Sequence, residues 1–192
     1  IGVFFKNSFK SIKYLDNLRR LPINVEKLLA DKTFRWKIND VSRLLLKNIR
    51  NVRPSIFMLG REKMYPICKE ISLKIKEIAY IHSEGYPSGS LKHGPFAMLS
   101  RDNLVILLID SKNREKLQLC FQEIKARDSN IIIFSDCENI EDEIDLDKKY
   151  IVKLPNMEHY EEIIFTVGLQ LFCYFLSINQ NINPDKPRNL AK

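Results

Sequence analysis

From Pro54 onward, short apolar runs alternate with amphipathic stretches, and this alternation limits the possible folds more than any other feature. Ser55-Ile-Phe-Met-Leu59 is a continuous apolar run ended by Gly60, the pattern of a strand buried on both faces. A helix is expected from about Pro66 to Tyr80, then a Gly/Pro/Ser-rich loop from Ser83 to Pro95. A strand at Leu104–Ile109, a helix around Glu115–Ala126 and a strand at Ile131–Phe134 come next. An acidic loop (Glu138–Asp147), a short strand (Tyr150–Leu154) and a long apolar helix (about Glu158–Ile178) complete the pattern. Strand–helix alternation at this spacing implies a parallel sheet with helices on both faces, a three-layer αβα sandwich.

The first fifty residues read differently. Phe9, Ile12, Leu15, Leu18 and Leu21 recur at helical spacing, and Pro22 is expected to start a new turn leading to a short helix that ends at Ala30. Asp40 is placed to cap a further helix carrying Val41, Leu44, Leu45 and Ile49. The expected organisation is a helical lead-in (1–53), an α/β domain (54–178) and an extended tail (179–192). By composition alone that tail would pass for a disordered terminus.

Apolar residues make up 45% of the 192 residues and charged residues 29%, a balance that excludes intrinsic disorder. The net charge of +7 is uneven: residues 1–76 hold 18 Lys and Arg against 6 Asp and Glu. Solvated basic helix faces explain this as well as a nucleic-acid partner would. Aromatic residues are not interleaved with the basic ones as a single-strand platform requires, so no nucleic acid is expected. Cys68, Cys120, Cys137 and Cys173 are widely spaced among apolar residues and read as reduced, buried thiols of an intracellular protein. The run Ile163–Ile178 is broken by Thr166, Gly168 and Gln170 and reads as too short and polar for a membrane span; no leader is recognised at Ile1.

Phosphate-loop, dinucleotide and nucleophile-elbow motifs are absent from the sequence. Ligands of parallel sheets sit beyond the carboxyl ends of the strands, so the expected binding regions are the loop after Gly60, the segment 83–95 and whatever the tail 179–192 covers. On the helix 66–80, Glu70, Lys74 and Glu77 stand at i, i+4 and i+7 and form a charged stripe bordering the apolar face. A partly desolvated acid with a cationic neighbour would stand there, although an ordinary salt-bridge ladder has the same pattern. His93, between Lys92 and Gly94-Pro95, is placed for acid–base work on a rigid turn, or is simply exposed. His82 reads as a satisfied structural histidine, and His159 as lying near the start of the last helix.

Two separated motifs then carry a resemblance. Leu59-Gly-Arg61, Tyr65-Pro66, Glu70, Leu73-Lys-Ile-Lys-Glu-Ile78, Tyr80-Ile-His82, Gly89 and Leu91-Lys-His-Gly-Pro95 form the first; Asp185-Lys-Pro-Arg-Asn-Leu-Ala-Lys192 forms the second. Together they resemble the glutamine–fructose-6-phosphate aminotransferases, whose isomerase half has two sugar isomerase (SIS) domains; this chain is similar to the second. The resemblance implies a cytoplasmic transferase that makes glucosamine 6-phosphate from fructose 6-phosphate and needs no cofactor or metal. It implies roles for Glu77 as the C1–C2 proton carrier, Lys74 as its supporting cation, and His93 as the ring-opening group donated across a homodimer. Lys192 matches the lysine that forms an imine with the C2 ketone. Ala191 contributes backbone near the sugar, and Arg188 and Asn189 border the ammonia route.

Departures are Glu70-Ile-Ser-Leu-Lys74 for E-G-A-L-K, Gly89-Ser-Leu for G-E-L, and Lys186 for a glutamine. The first SIS domain, apart from a last helix matching residues 1–21, and the glutaminase domain lie outside the matched chain. The fragment alone is therefore expected to be inactive. A plain phosphosugar isomerase and a non-catalytic phosphosugar-binding regulator are the competing readings.

Overall fold

The computed structural model describes residues 8–48 and 55–189. Five parallel strands form one sheet: β1 (Ser55–Gly60), β2 (His82–Pro87), β3 (Leu104–Ile109), β4 (Asn130–Ser135) and β5 (Ile151–Lys153). Their spatial order is β2-β1-β3-β4-β5. Strand residues alternate between two cores. Ile56, Met58, Leu104, Ile106 and Phe134 face α1 (Ser8–Ala30), α2 (Lys32–Asn48), α3 (Met64–Lys74) and α6 (Glu161–Ile178). Phe57, Leu59, Val105, Leu107 and Ile133 face α4 (Arg114–Lys125), which brings Leu117, Phe121 and Ile124 to the opposite side. The three-layer αβα expectation holds.

Several local expectations do not. Pro22 lies inside one continuous α1, because the side chains around it (Leu21, Leu28) bury in the main core and hold the helix across the missing N–H. Asp40 caps nothing; it lies within α2, whose first turn is capped by Asp31, the Oδ1 accepting from the backbone N–H of Thr33 (2.8 Å) and Phe34 (3.3 Å). Ile49 lies outside the described residues. The helical lead-in shares the core: Phe34, Ile38, Val41 and Leu45 pack in one cluster with Phe165, Leu169 and Phe172 of α6.

The Gly/Pro/Ser segment is not a loop throughout. Its first half is β2, an edge strand that pairs only with β1 and so needs no continuous apolar run. Gly85 makes this strand possible: a Cβ there would lie 2.6 Å from the Lys69 backbone nitrogen and 2.8 Å from the Cys68 carbonyl, so α3 could not approach. Two 3-10 turns, Ser88–His93 and Pro95–Met98, follow. The acidic loop contains a one-turn helix, α5 (Ile140–Glu143).

The last helix starts at Glu161, not at about 158. Contrary to the reading of the run Ile163–Ile178, α6 is long and apolar enough to cross a membrane by length and composition alone. Its apolarity has a structural use, since Ile164, Phe165, Leu169, Phe172 and Leu176 are buried in the core. All four cysteines are buried and unpaired. Burial pushes the Cys120 and Cys173 thiols up to about 12, so they pack as inert apolar groups.

Candidate functional site

The helix that carries the charged stripe changes its winding before it ends. After Lys74 the α-helix widens into a single π turn, Ile75–Ala79, and stops at Tyr80, whose φ of 57° is left-handed. Left-handed backbone is uncommon for a bulky residue, and π turns concentrate at functional positions. The wider turn carries Glu77. Its Oε2 accepts from Lys74 Nζ at 2.7 Å, while Glu70 stands 3.7 Å from the same ammonium. Glu77 is 24% exposed and Lys74 35%, so the pair is partly withdrawn from water yet reachable. Hydrogen bonding to Glu77 holds Lys74 above the ordinary lysine range, so this lysine is a fixed cation rather than an amine nucleophile.

Beside the pair lies a cleft of about 450 Å³ walled by Glu77, Tyr80, His82, Arg188 and Asn189. The tail reaches it by specific contacts. Gln180 Nε2 donates to the Ala79 carbonyl (3.2 Å), and the Arg188 N–H donates to Tyr80 Oη (2.8 Å). The Arg188 guanidinium lies over the Tyr80 ring, 4.2 Å from its centroid. Residues 179–189 therefore form a docked strap rather than a loose terminus. Ala191 and Lys192 lie outside the described residues.

The cleft falls at the region covered by the tail, one of the three expected, but its place relative to the sheet differs from the carboxyl-end expectation. α3 runs from the carboxyl end of β1 back to the amino end of β2, and α6 returns from the carboxyl side of β5. Glu77 and the strap thus meet at the amino ends of β1 and β2, not beyond the carboxyl ends. His93 is on the other face of the sheet, where the turn that carries it packs along α4. It closes the 3-10 turn after β2, exposed, with Lys92 paired to Glu123 at 2.6 Å. Gly94, at a φ of 135° open to glycine, and Pro95 fix that turn. Leu91 beside His93 is buried in the α4-side core, whereas Ile75 and Ala79 of the Glu77 turn are buried in the core on the opposite face, so the sheet lies between the two turns of one chain.

Sequence reasoning assigned no role to Tyr80 and placed His82 in a structural one. His82 is more than half exposed; its Nδ1 is 3.0 Å from Ser55 Oγ and it lines the cleft. The available signal was proximity, since both residues fall within five positions of Glu77. His159 precedes α6 with a φ of 77°, near the helix start as expected.

The carboxyl end holds a different arrangement. Asp110, Asp136 and Glu161 are 5%, 3% and 4% exposed. Asp136 accepts from Ser111 N–H (2.7 Å) and Asn156 Nδ2 (3.0 Å), Asp110 from Asn113 Nδ2 (3.1 Å), and Glu161 pairs with Lys112 at 2.7 Å. Burial above all pushes both aspartates up from the usual carboxylate range. A depression of about 700 Å³ opens beside this cluster at the start of α4; of the three cations that line it, Lys112 is paired with Glu161 and Arg114 with Glu143, and Lys116 is the third.

An open parallel sheet covered by helices on both faces, with a paired carboxylate at a cleft on its edge, defines a three-layer α/β domain. Residues 48–179 match the SIS domain model, and the chain belongs to that family. It is 34% identical over 97% of its length to a glutamine–fructose-6-phosphate aminotransferase [isomerizing] of Caldanaerobacter subterraneus, and 36% identical over 95% to that of Buchnera aphidicola. It covers 29% and 28% of those proteins. A solved structure, the C-terminal domain of glucosamine-fructose-6-phosphate aminotransferase from Francisella tularensis, matches 92% of the chain at a TM-score of 0.80 and 29% identity. The chain covers 48% of that structure.

Proposed function

We propose that this chain is the second SIS domain of a glutamine–fructose-6-phosphate aminotransferase. In its complete polypeptide it converts fructose 6-phosphate and glutamine-derived ammonia to glucosamine 6-phosphate. The observation that carries this reading is the Lys74–Glu77 pair facing a cleft on which the C-terminal strap is docked. A carboxylate held at one face of an open-chain sugar can take a proton from one carbon and return it to the next. The neighbouring ammonium, kept charged by its bond to Glu77, stabilises the oxygen on which negative charge develops.

Lys192 follows the strap and forms the imine with the C2 ketone. Its role requires a neutral amine, so it is a different kind of lysine from Lys74. His93 opens the sugar ring in the site of a second subunit; its separation from the cleft of its own chain favours this exchange. Arg188 and Asn189 border the ammonia route, and Ala191 presents backbone to the sugar. The division into residues 1–53, 54–178 and 179–192 belongs to the same reading, with a first SIS domain and a glutaminase domain supplied by the rest of the polypeptide. The whole functions as a cytoplasmic homodimer.

Borohydride trapping of fructose 6-phosphate on the complete polypeptide tests this reading. A stable adduct is expected with the native protein and none with Lys192→Arg. Equal adduct on both proteins would show that another lysine is modified and would remove the imine assignment.

A further inference from the structure

Tyr80 is bound to the strap in two independent ways, through its hydroxyl and through its ring. The hydroxyl accepts the Arg188 backbone N–H at 2.8 Å, and the ring lies beneath the Arg188 guanidinium at 4.2 Å. Tyr80 also ends the π turn that carries Glu77, three residues before it, in a left-handed conformation that costs a non-glycine residue energy. A residue kept in an unfavourable backbone state at the rim of a cleft is held there by what it contacts, and here the contact is the strap.

The strap itself is pinned at two points. At its root, Gln180 Nε2 bonds the Ala79 and Leu176 carbonyls (3.2 and 3.0 Å), and Ser177 Oγ donates to the Ile182 carbonyl (3.0 Å). Among the described residues, its hydrogen bonds beyond Ile182 that leave the strap go to Tyr80 alone. Past Arg188, Asn189 turns left-handed with a φ of 60°, a conformation that asparagine tolerates. Among the described residues, the strap's last hydrogen bond to the domain is therefore the one to Tyr80.

We propose that Tyr80 is a positioning residue that docks the C-terminal strap onto the Glu77 turn and so sets where the terminal residues meet the substrate. This deepens the aminotransferase reading and rests on it. Tyr80 touches no reacting atom. Its effect passes through the fraction of molecules in which the strap is seated, so loss of Tyr80 lowers kcat in proportion. KM for the sugar phosphate stays nearly constant, because the resemblance implies that the phosphate is held by the first SIS domain, outside this chain.

The test uses the complete polypeptide with Tyr80→Phe and Tyr80→Leu. The first keeps the ring and loses the hydroxyl; the second loses both contacts. The expected result is a fall in kcat of about fivefold for Tyr80→Phe and more than tenfold for Tyr80→Leu, with KM changed less than twofold. Borohydride adduct should form more slowly by similar factors. The Arg188 amide should exchange faster with solvent in both variants, while the unfolding midpoint of Tyr80→Phe stays at the native value.

If both variants keep native kcat and native Arg188 exchange, the positioning role is overturned while the aminotransferase reading survives. A fall in kcat that only tracks lost thermal stability also overturns it, as that is a general folding effect. If the native protein forms no adduct at all, the aminotransferase reading fails, and Arg188 exchange, which needs no substrate, still decides whether Tyr80 holds the strap.

Discussion

The two ends of the sheet contain similar residue types put to opposite uses. At the carboxyl end, Asp110, Asp136 and Glu161 are almost wholly buried and bound to the domain's own donors, Asn113, Ser111, Asn156 and Lys112. At the amino end, Glu77 and Lys74 form one pair, remain partly exposed and face a cleft. Open parallel sheets generally bind ligands beyond their carboxyl ends. Here that end carries a buried polar cluster beside an open depression, and the partly exposed acid–cation pair lies on the edge where α3 and the strap meet. Acidic residues in an α/β domain are therefore informative only together with their partners. A carboxylate buried among loop donors holds loops together; one that is partly exposed at a cleft beside a cation can exchange a proton.

The largest expected effect on this contrast comes from Gly85→Ala. The added methyl meets the α3 backbone, which cannot move aside locally, so α3 and the Glu77 turn must shift away from β2. A loss of about 2–3 kcal/mol in chemical denaturation is expected. Gly168→Ala is the control on α6: its methyl meets only the Leu154 Cδ2 atom, at 2.8 Å, the end of a flexible side chain. Helix propensity favours alanine there, so stability should change by less than about 1 kcal/mol. Similar losses from both substitutions would mean that α3 is not the tighter of the two contacts.

A smaller effect separates the two ends by pH. Asp110 and Asp136 have folded-state values raised above those of the unfolded chain, chiefly by burial. Their contribution is fully present below the unfolded aspartate range and is lost as pH rises through the raised folded values. Asp110→Asn removes one such group while keeping an oxygen that can accept from Asn113. Measured by thermal unfolding, the variant should gain relative to the native protein as pH rises from the unfolded aspartate range through the raised folded value of Asp110. A constant difference across that interval would mean that Asp110 is not destabilised by its burial.

Much of this arrangement is legible in the residues. β1, β3 and β4 are continuous apolar runs, because strands covered on both faces leave no room for polar side chains. Glu70, Lys74 and Glu77 fall on one stripe by helical spacing alone. β2 was not legible, since His82-Ser-Glu-Gly-Tyr-Pro87 has the composition of a loop and is a strand only because Gly85 lets α3 lie against it. The π turn, the left-handed Tyr80 and the docked strap depend on contacts between residues about a hundred positions apart, such as Arg188 with Tyr80. Local patterns carry no trace of such a contact, and a polar tail with two prolines looks the same whether it is docked or free.

The central claim is that the working site lies at the amino edge of the sheet and takes His93 from a second subunit. Subunit complementation between complete polypeptides carrying Glu77→Gln and His93→Ala, each inactive alone, tests it most directly. In a mixed dimer one site then receives the intact Glu77 of one chain and the intact His93 of the other. Synthase activity should return on mixing and reassembly, to about a quarter of the native level for random pairing. If both residues instead serve the same site from the same chain, every site in the mixture carries one defect, and activity that stays at the level of the separate variants would contradict the account.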